Sequence, residues 1–432
     1  MRLDSDVLSG RAEAVRRLTK QSLMIRQFAW GCMREAAFSA ESRKRIAAQP
    51  CATSPLSGYI AFRGAIYDGS GYAAEARGII FGLYRAGVLV QLQPLGLPQD
   101  AHNLLTREER EILDGLSHGS VDLAEGIHFQ HCPAHHFNLA MRGRHRVGRT
   151  MYETDSIPDG WRNFCEGMDE VWVPGAFNLQ TFASAGVSRD RLRVLPGGID
   201  TSAFPPEVEP LPIRERRGFN FLSVFEWIDR KGADMLLRAY LSEFKPGEDV
   251  ALILKTYGRP DAGADMLPRL AYTIERRLGF RLEDTPAILL LTPDVLPVSE
   301  IPRLYASADA FVLPTRGEGW GRPFMEALAC ECPVITTRWG GQLDFLHDGI
   351  SYLVDCDLCS VPWNTDIELS AGHHWAEVRV EHLRQLMRHV FEHQQEARQK
   401  ARRGRAEMIE QWEWSSIIRN HWIPQFERLL QT

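Results

Sequence analysis

Two glutamates, Glu318 and Glu326, stand on either side of Gly319-Trp320-Gly321-Arg322-Pro323. An apolar run from Ala310 to Pro314 precedes them, and Ala327-Leu328-Ala329-Cys330 follows. This is the pattern of a strand, a glycine-bearing turn and a helix start. The first turn of a helix presents free backbone N–H groups and the positive end of its dipole, which favours an anion. A carboxylate before such a turn accepts hydrogen bonds from hydroxyls, and one two turns into the helix reaches a second set. Phosphate flanked by polyols describes a nucleotide-sugar.

Other residues have the right types for the same chemistry. Arg230-Lys231-Gly232 places cations at a turn entering a helix, which suits a diphosphate. Lys255-Thr256 ends the next apolar run. Asp68-Gly69-Ser70-Gly71-Tyr72 is a glycine-bearing turn in the first half, where a ligand can approach the backbone closely. It lacks the G-x-G-x-x-G fingerprint of dinucleotide-binding enzymes, which argues against a nicotinamide-dependent oxidoreductase. His128, His131, His135 and His136 cluster without the helical i, i+4 pair and acid of a zinc site, so no metal is expected. His131 falls at the C-terminal end of a strand, and His128 inside it. Glu153 at the end of another strand and Asp155 just beyond it read as turn-capping carboxylates or as groups facing a ligand.

The run from Glu318 to Glu326, with Cys332-Pro333-Val334-Ile335-Thr336-Thr337, Gly340-Gly341, Asp344-Phe345-Leu346 and Asp348-Gly349, resembles retaining glycosyltransferases of family 4. These enzymes carry a Glu-x7-Glu motif on two Rossmann-like domains (the GT-B arrangement). The resemblance implies transfer of a sugar from a nucleotide-sugar to a glycan, lipid-linked or small-molecule acceptor, with retention of configuration and without a metal cofactor. It implies that Glu318 holds donor-sugar hydroxyls and Glu326 the ribose. Gly319, Trp320, Gly321 and Arg322 would line the sugar and β-phosphate. Lys231, with Arg230 and Lys255, would meet the diphosphate. The Gly71 loop would lie over the diphosphate and the acceptor, and His131 near the donor sugar. Asp68, Glu153 and Asp155 would face the acceptor, and Glu318, Lys231 and His131 would carry the catalysis. The chain departs from the family at Glu226, where an arginine is common. That departure is the sole support for the alternative, a catalytically inactive relative kept as a binding or partner subunit.

These groups need a frame. At 432 residues, two domains are the default. Hydrophobic content of 44% and charged content of 25% are those of a soluble globular protein. A net charge of −6 gives no reason to expect nucleic acid. No apolar run approaches the roughly 18 residues of a membrane helix, and no signal-peptide pattern opens the chain, so the expected location is the cytoplasm. The eight cysteines lack metal-ligand spacing and read as free thiols.

The pattern alternates strand and helix, which predicts doubly wound parallel sheets. Residues 56–205 form the first, acceptor-side domain, with strands near Tyr59–Ile66, Val88–Gln93, Ile127–Gln130, Gly148–Glu153, Glu170–Pro174 and Arg193–Leu195. Residues 206–217 are the linker. Residues 218–410 form the nucleotide-sugar domain, with strands from Phe219, Val250, Ile288, Ala310, Val334 and Ser351, then one long charged helix from Glu381 to Arg405. Residues 411–432 form a last helix which, by the resemblance, returns to the first domain. Residues 1–55 place Val15, Leu18, Ser22, Ile25, Phe28, Cys32 and Ala36 at helical spacing, an amphipathic extension. It either packs on the body or lays Arg16, Arg17, Lys20, Arg26 and Arg34 against an anionic membrane face.

Overall fold

The computed structural model describes residues 25–28, 55–96, 104–118, 125–257, 266–291, 296–363 and 370–431. Strand β1 (Ile25–Phe28) pairs in parallel with a later strand of the second sheet. The helix expected over 1–55 is therefore not formed at these four residues. A β-branched and an aromatic residue end this short segment, and the sheet edge offers it a row of backbone partners. The rest of that expectation lies outside the described residues.

The first sheet contains β2 (Tyr59–Ala65), β3 (Leu89–Leu95), β4 (Ile127–His131), β5 (His145–Arg149), β6 (Glu170–Val173) and β7 (Leu192–Val194). All pairs are parallel, in the order β3-β2-β4-β5-β6-β7. Strand β5 starts at His145 and ends at Arg149, four residues short of the end of the expected Gly148–Glu153 strand. Its register is set by Ile127–His131 beside it, so Thr150 to Asp155 become loop. Helix α1 (Gly71–Arg85) begins after Ser70, whose hydroxyl accepts from the Ala73 N–H. Helix α2 (Arg107–Ser117), which the strand–helix pattern did not reveal, is closed by a capping box of Thr106 and Glu109. Helix α3 (Ala176–Ser184) follows β6.

The second sheet adds β8 (Phe219–Glu226), β9 (Val250–Tyr257), β10 (Ala287–Leu291), β11 (Ala310–Leu313), β12 (Val334–Thr337) and β13 (Tyr352–Val354). Its order is β1-β10-β9-β8-β11-β12-β13, again parallel throughout. Helix α4 (Ala233–Glu243) follows β8, and α5 (Arg322–Ala329) follows β11. The strands read as nearly continuous apolar runs because parallel sheets are covered on both faces. Beyond β13 comes an antiparallel hairpin, β14 (Cys356–Ser360) and β15 (His374–Val378). Sequence reasoning missed it. The expected single charged helix is two, α6 (Val380–Glu392) and α7 (Gln394–Gln411), broken where His393 leaves helical geometry at φ −115°, ψ 49°.

The chain crosses between domains twice, and the crossings touch. Ile199 donates to the Trp412 carbonyl at 2.9 Å and accepts from the Trp414 N–H at 3.0 Å. The Thr201 hydroxyl donates to Glu413 at 2.6 Å. Phe204, Leu211 and Ile213 are buried in the second core, so this stretch packs on that domain. Helix α8 (Ile423–Gln431) and the turns before it complete the first core. The Trp422 ring packs edge-on to Phe129 and Trp172 at 5.7 and 5.6 Å, under the Arg149 guanidinium, and its Nε1 donates to the Pro196 carbonyl. Arg428 pairs with buried Glu170 at 2.7 Å. Among the described residues no helix is long and apolar enough to cross a membrane. The six cysteines among them are unpaired thiols.

Trp422→Ala should destabilise the first domain by about 3–5 kcal/mol, since it removes a fully buried ring and one hydrogen bond. Thermal melts of the variant against wild type check this, and an unchanged midpoint would show that α8 is not part of that core.

Candidate functional site

In open parallel sheets, ligands sit beyond the carboxyl ends of the strands. Beyond β8 the chain makes a short turn, Asp229–Lys231, then Gly232 at φ 71° starts α4. A side chain at Gly232 would also strike the Pro314 carbonyl at 2.2 Å, so turn and neighbouring loop are pressed together. Beyond β11, Gly321 at φ 95° opens α5. These two turns bring the central group together. Lys231 Nζ donates to Glu318 Oε1 at 2.6 Å. Arg230 lies 3.5 Å from the other Glu318 oxygen and 3.5 Å from Glu153 of the first domain, and donates to the Gly317 carbonyl at 2.6 Å.

The side chains of Glu318, Arg230 and Lys231 are 9%, 12% and 13% exposed, so their charges act on one another with little water between. Burial would raise the Glu318 pKa, but Lys231 and Arg230 overcome it and hold the carboxyl below its ordinary range. Burial pulls Lys231 down, against Glu318, with Arg230 adding to the fall. Burial would lower Arg230 as well, yet Glu153, Glu318 and Glu226 outweigh it and raise it. Glu226, at the end of β8, thus acts on Arg230 as a third carboxylate.

Arg316, which the sequence did not single out, ties this turn down. It donates to both Asp234 oxygens at 2.9 Å, to Glu377 at 2.7 Å and to the Asp229 carbonyl at 2.6 Å, and lies over the Trp375 ring. Its partners come from two segments far from it in the chain, 229–234 and 375–377, which no local signal could reveal.

The remaining expected residues fall into separate groups. Glu326 accepts from Tyr305 Oη and from Arg322, both at 3.2 Å. Gly319 gives its carbonyl to Asn178 of α3 at 2.8 Å. The Trp320 ring is wedged between Phe345 and Trp412 beside the interdomain crossing. Lys255 is buried within β9. The Asp68–Gly71 loop is exposed, and the space a Cβ at Gly69 or Gly71 would fill is open. Arg77 of α1, also missed, props this loop by donating to the Ile66 and Asp68 carbonyls at 2.7 and 3.0 Å.

His131 does not reach the central group. It is fully buried, and its Nε2 lies 3.0 Å from Glu75, whose other oxygen pairs with buried Arg149. His128 is buried in β4, while His135 and His136 are exposed with rings 3.9 Å apart. Among the described residues no group of three or more His, Cys, Asp or Glu is arranged to hold a metal. Asp155 faces the hairpin, not open cleft: it accepts from the His374 N–H at 2.6 Å and lies 3.0 Å from its ring.

Residues 216–360 match the family model described as Glycosyl transferases group 1. The chain is 30% identical over 256 residues to the GDP-mannose-dependent alpha-(1-6)-phosphatidylinositol monomannoside mannosyltransferase of Mycolicibacterium smegmatis, covering 54% of this chain and 63% of that protein. It thus spans less than two thirds of that relative. Among solved structures, Anabaena Alr3699/HepE in complex with UDP and glucose superposes with a TM-score of 0.59 at 16% identity, covering 87% of this chain and all of that one. Sucrose-phosphate synthase from Thermosynechococcus elongatus superposes at 0.61 and 15% identity, covering 87% and 99%. The fold is the two-domain GT-B arrangement.

The Glu75 group makes stability depend on pH. Burial would raise the Glu75 pKa, but Arg149 and His131 hold it at about 2, against an ordinary 4.5. Burial lowers His131 below its ordinary 6.5. Both folded-state values are depressed, so both contributions are present at neutral pH and fade as the unfolded chain takes up protons, His131 below 6.5 and Glu75 below 4.5. Glu75→Gln should cost about 3–5 kcal/mol at pH 7, because it strands buried Arg149. Its melting midpoint should also fall less than that of wild type between pH 5 and pH 3, and parallel curves would refute the assignment.

Proposed function

We propose that the chain is a retaining, metal-independent glycosyltransferase that moves a sugar from a nucleotide-sugar to an acceptor hydroxyl. The observation that carries this reading is the Lys231–Glu318–Arg230 group at the carboxyl ends of β8 and β11, inside the segment matched to glycosyltransferases. In transfer, the bond from the anomeric carbon to the diphosphate oxygen breaks and a bond to the acceptor oxygen forms on the same face. The acceptor's proton passes to the departing phosphate. Charge builds on the leaving diphosphate, and Lys231 with Arg230 is placed to take it. Once Lys231 turns to the phosphate, Glu318 is released to accept hydrogen bonds from donor hydroxyls. Glu326 of α5, held by Tyr305 and Arg322, is the proposed ribose contact. Glu153 is the first-domain carboxylate that meets this group and is the candidate acceptor contact. No general base of the protein is needed.

The name of the relative and that of a second Anabaena Alr3699/HepE structure, in complex with UDP-glucose, put GDP-mannose and UDP-glucose first among donors to test. A second reading, an inactive binding subunit, draws on Glu226, which adds a carboxylate where a diphosphate must approach. Turnover of labelled donor separates the two readings, since a binding subunit would retain nucleotide affinity and release no sugar.

Lys231→Ala should lower transfer roughly a hundredfold while nucleoside monophosphate affinity changes little, because the charge matters most as the diphosphate departs. Equal losses in binding and turnover would reduce Lys231 to a ground-state contact. Transfer should also survive excess EDTA, since fixed cations stand in for a divalent ion. Loss with EDTA and recovery with Mg²⁺ or Mn²⁺ would refute the metal-free proposal.

A further inference from the structure

The β14–β15 hairpin belongs to the second domain, yet it binds the loop after β5 of the first. The Tyr152 and Ser370 hydroxyls are hydrogen-bonded. Thr154 Oγ1 lies 2.9 Å from His373 Nδ1. Asp155 accepts from the His374 N–H at 2.6 Å, and its own N–H donates to the His374 carbonyl at 3.0 Å. The partners are thus residues 152, 154 and 155, which bracket Glu153 and leave its carboxylate to face Arg230. The hairpin is in turn fixed to the donor-side turn, because Arg316 bonds Glu377, its carbonyl accepts from Ala376, and its guanidinium lies over Trp375.

Gly317 gives the same contact from the other side. Its φ is not in the left-handed region, so its own backbone does not demand glycine. A Cβ there would lie 1.9 Å from the Glu153 carbonyl oxygen. The constraint therefore comes from the opposite domain, whose backbone rests directly on the donor loop.

We propose that the hairpin, through His373 and His374, together with the bare backbone at Gly317, positions Glu153 of the first domain against Arg230 and Glu318 of the second. This rests on reading the cleft as a glycosyl-transfer site. Tyr152, Thr154, His373, His374 and Gly317 are positioning residues, and Glu153 is the group that meets substrate.

The test uses the full chain in three forms: wild type, the double variant His373→Ala/His374→Ala, and Gly317→Ala. Each is checked for folding by its thermal melt, then read by small-angle scattering with saturating GDP or UDP and by steady-state kinetics. The expected result is a larger radius of gyration for both variants, with unchanged donor KM in the double variant. Transfer should fall roughly tenfold to a hundredfold, as misplacement by about an ångström costs. Gly317→Ala keeps every hairpin contact partner, so it serves if the double variant fails to fold. Scattering identical to wild type would overturn the proposal, as would equal loss of donor binding and turnover. If wild type transfers nothing, the functional reading falls and scattering alone decides the hairpin's role: expansion upholds it and identity overturns it.

Discussion

Two cations held almost out of water constrain everything around them. Arg230 and Lys231 occupy a turn whose side chains are about one-eighth exposed, and such charges are costly unless matched at close range. The matching carboxylates come from separate segments: Glu318 from the loop after β11, Glu226 from the end of β8, and Glu153 from the other domain. The cluster is therefore complete only when both domains are together. Three carboxylates against two cations also leave it short of positive charge before any phosphate arrives. In the proposed reaction a donor diphosphate displaces one of these partners, and release of the Lys231–Glu318 contact would free both a phosphate ligand and a hydroxyl acceptor.

The rest of the architecture keeps that meeting point in place. Parallel strands with apolar residues on both faces deliver their carboxyl ends to one side of each sheet, so polar loops accumulate there. Arg316 locks the Asp229–Asp234 turn to the hairpin. Behind the cleft, the Ile199 and Trp412–Trp414 crossings bond to one another, and Trp422 and Arg428 seat the end of the chain in the first core. Buried Glu75, Arg149 and His131 stiffen the first domain at the end of β4 and β5. A buried ionic group of this kind is costly to break, whatever its net contribution to folding.

The amino-acid order alone was enough for the two parallel sheets, most strand positions, and the Glu318–Glu326 and Arg230–Lys231 turns. These signals are local: runs of apolar residues of strand length, glycines at turns, and cations or carboxylates beside them. Tertiary structure decided the rest, because the deciding contacts join residues distant in sequence. His131 has the right position at a strand end, but Glu75 of α1 draws it into the core. Asp155 has the right chemistry for a ligand, but a hairpin more than two hundred residues later occupies it. Arg316 looks like any surface arginine until Asp234 and Glu377 converge on it. The break at His393 and the hairpin before α6 carry no strong periodic signature, and Ile25–Phe28 follows a sheet edge that only the assembled second domain provides. Spacing along the chain can nominate a charged side chain for a site, but its partner, and so its role, is fixed by which strands and domains the fold brings within hydrogen-bonding reach.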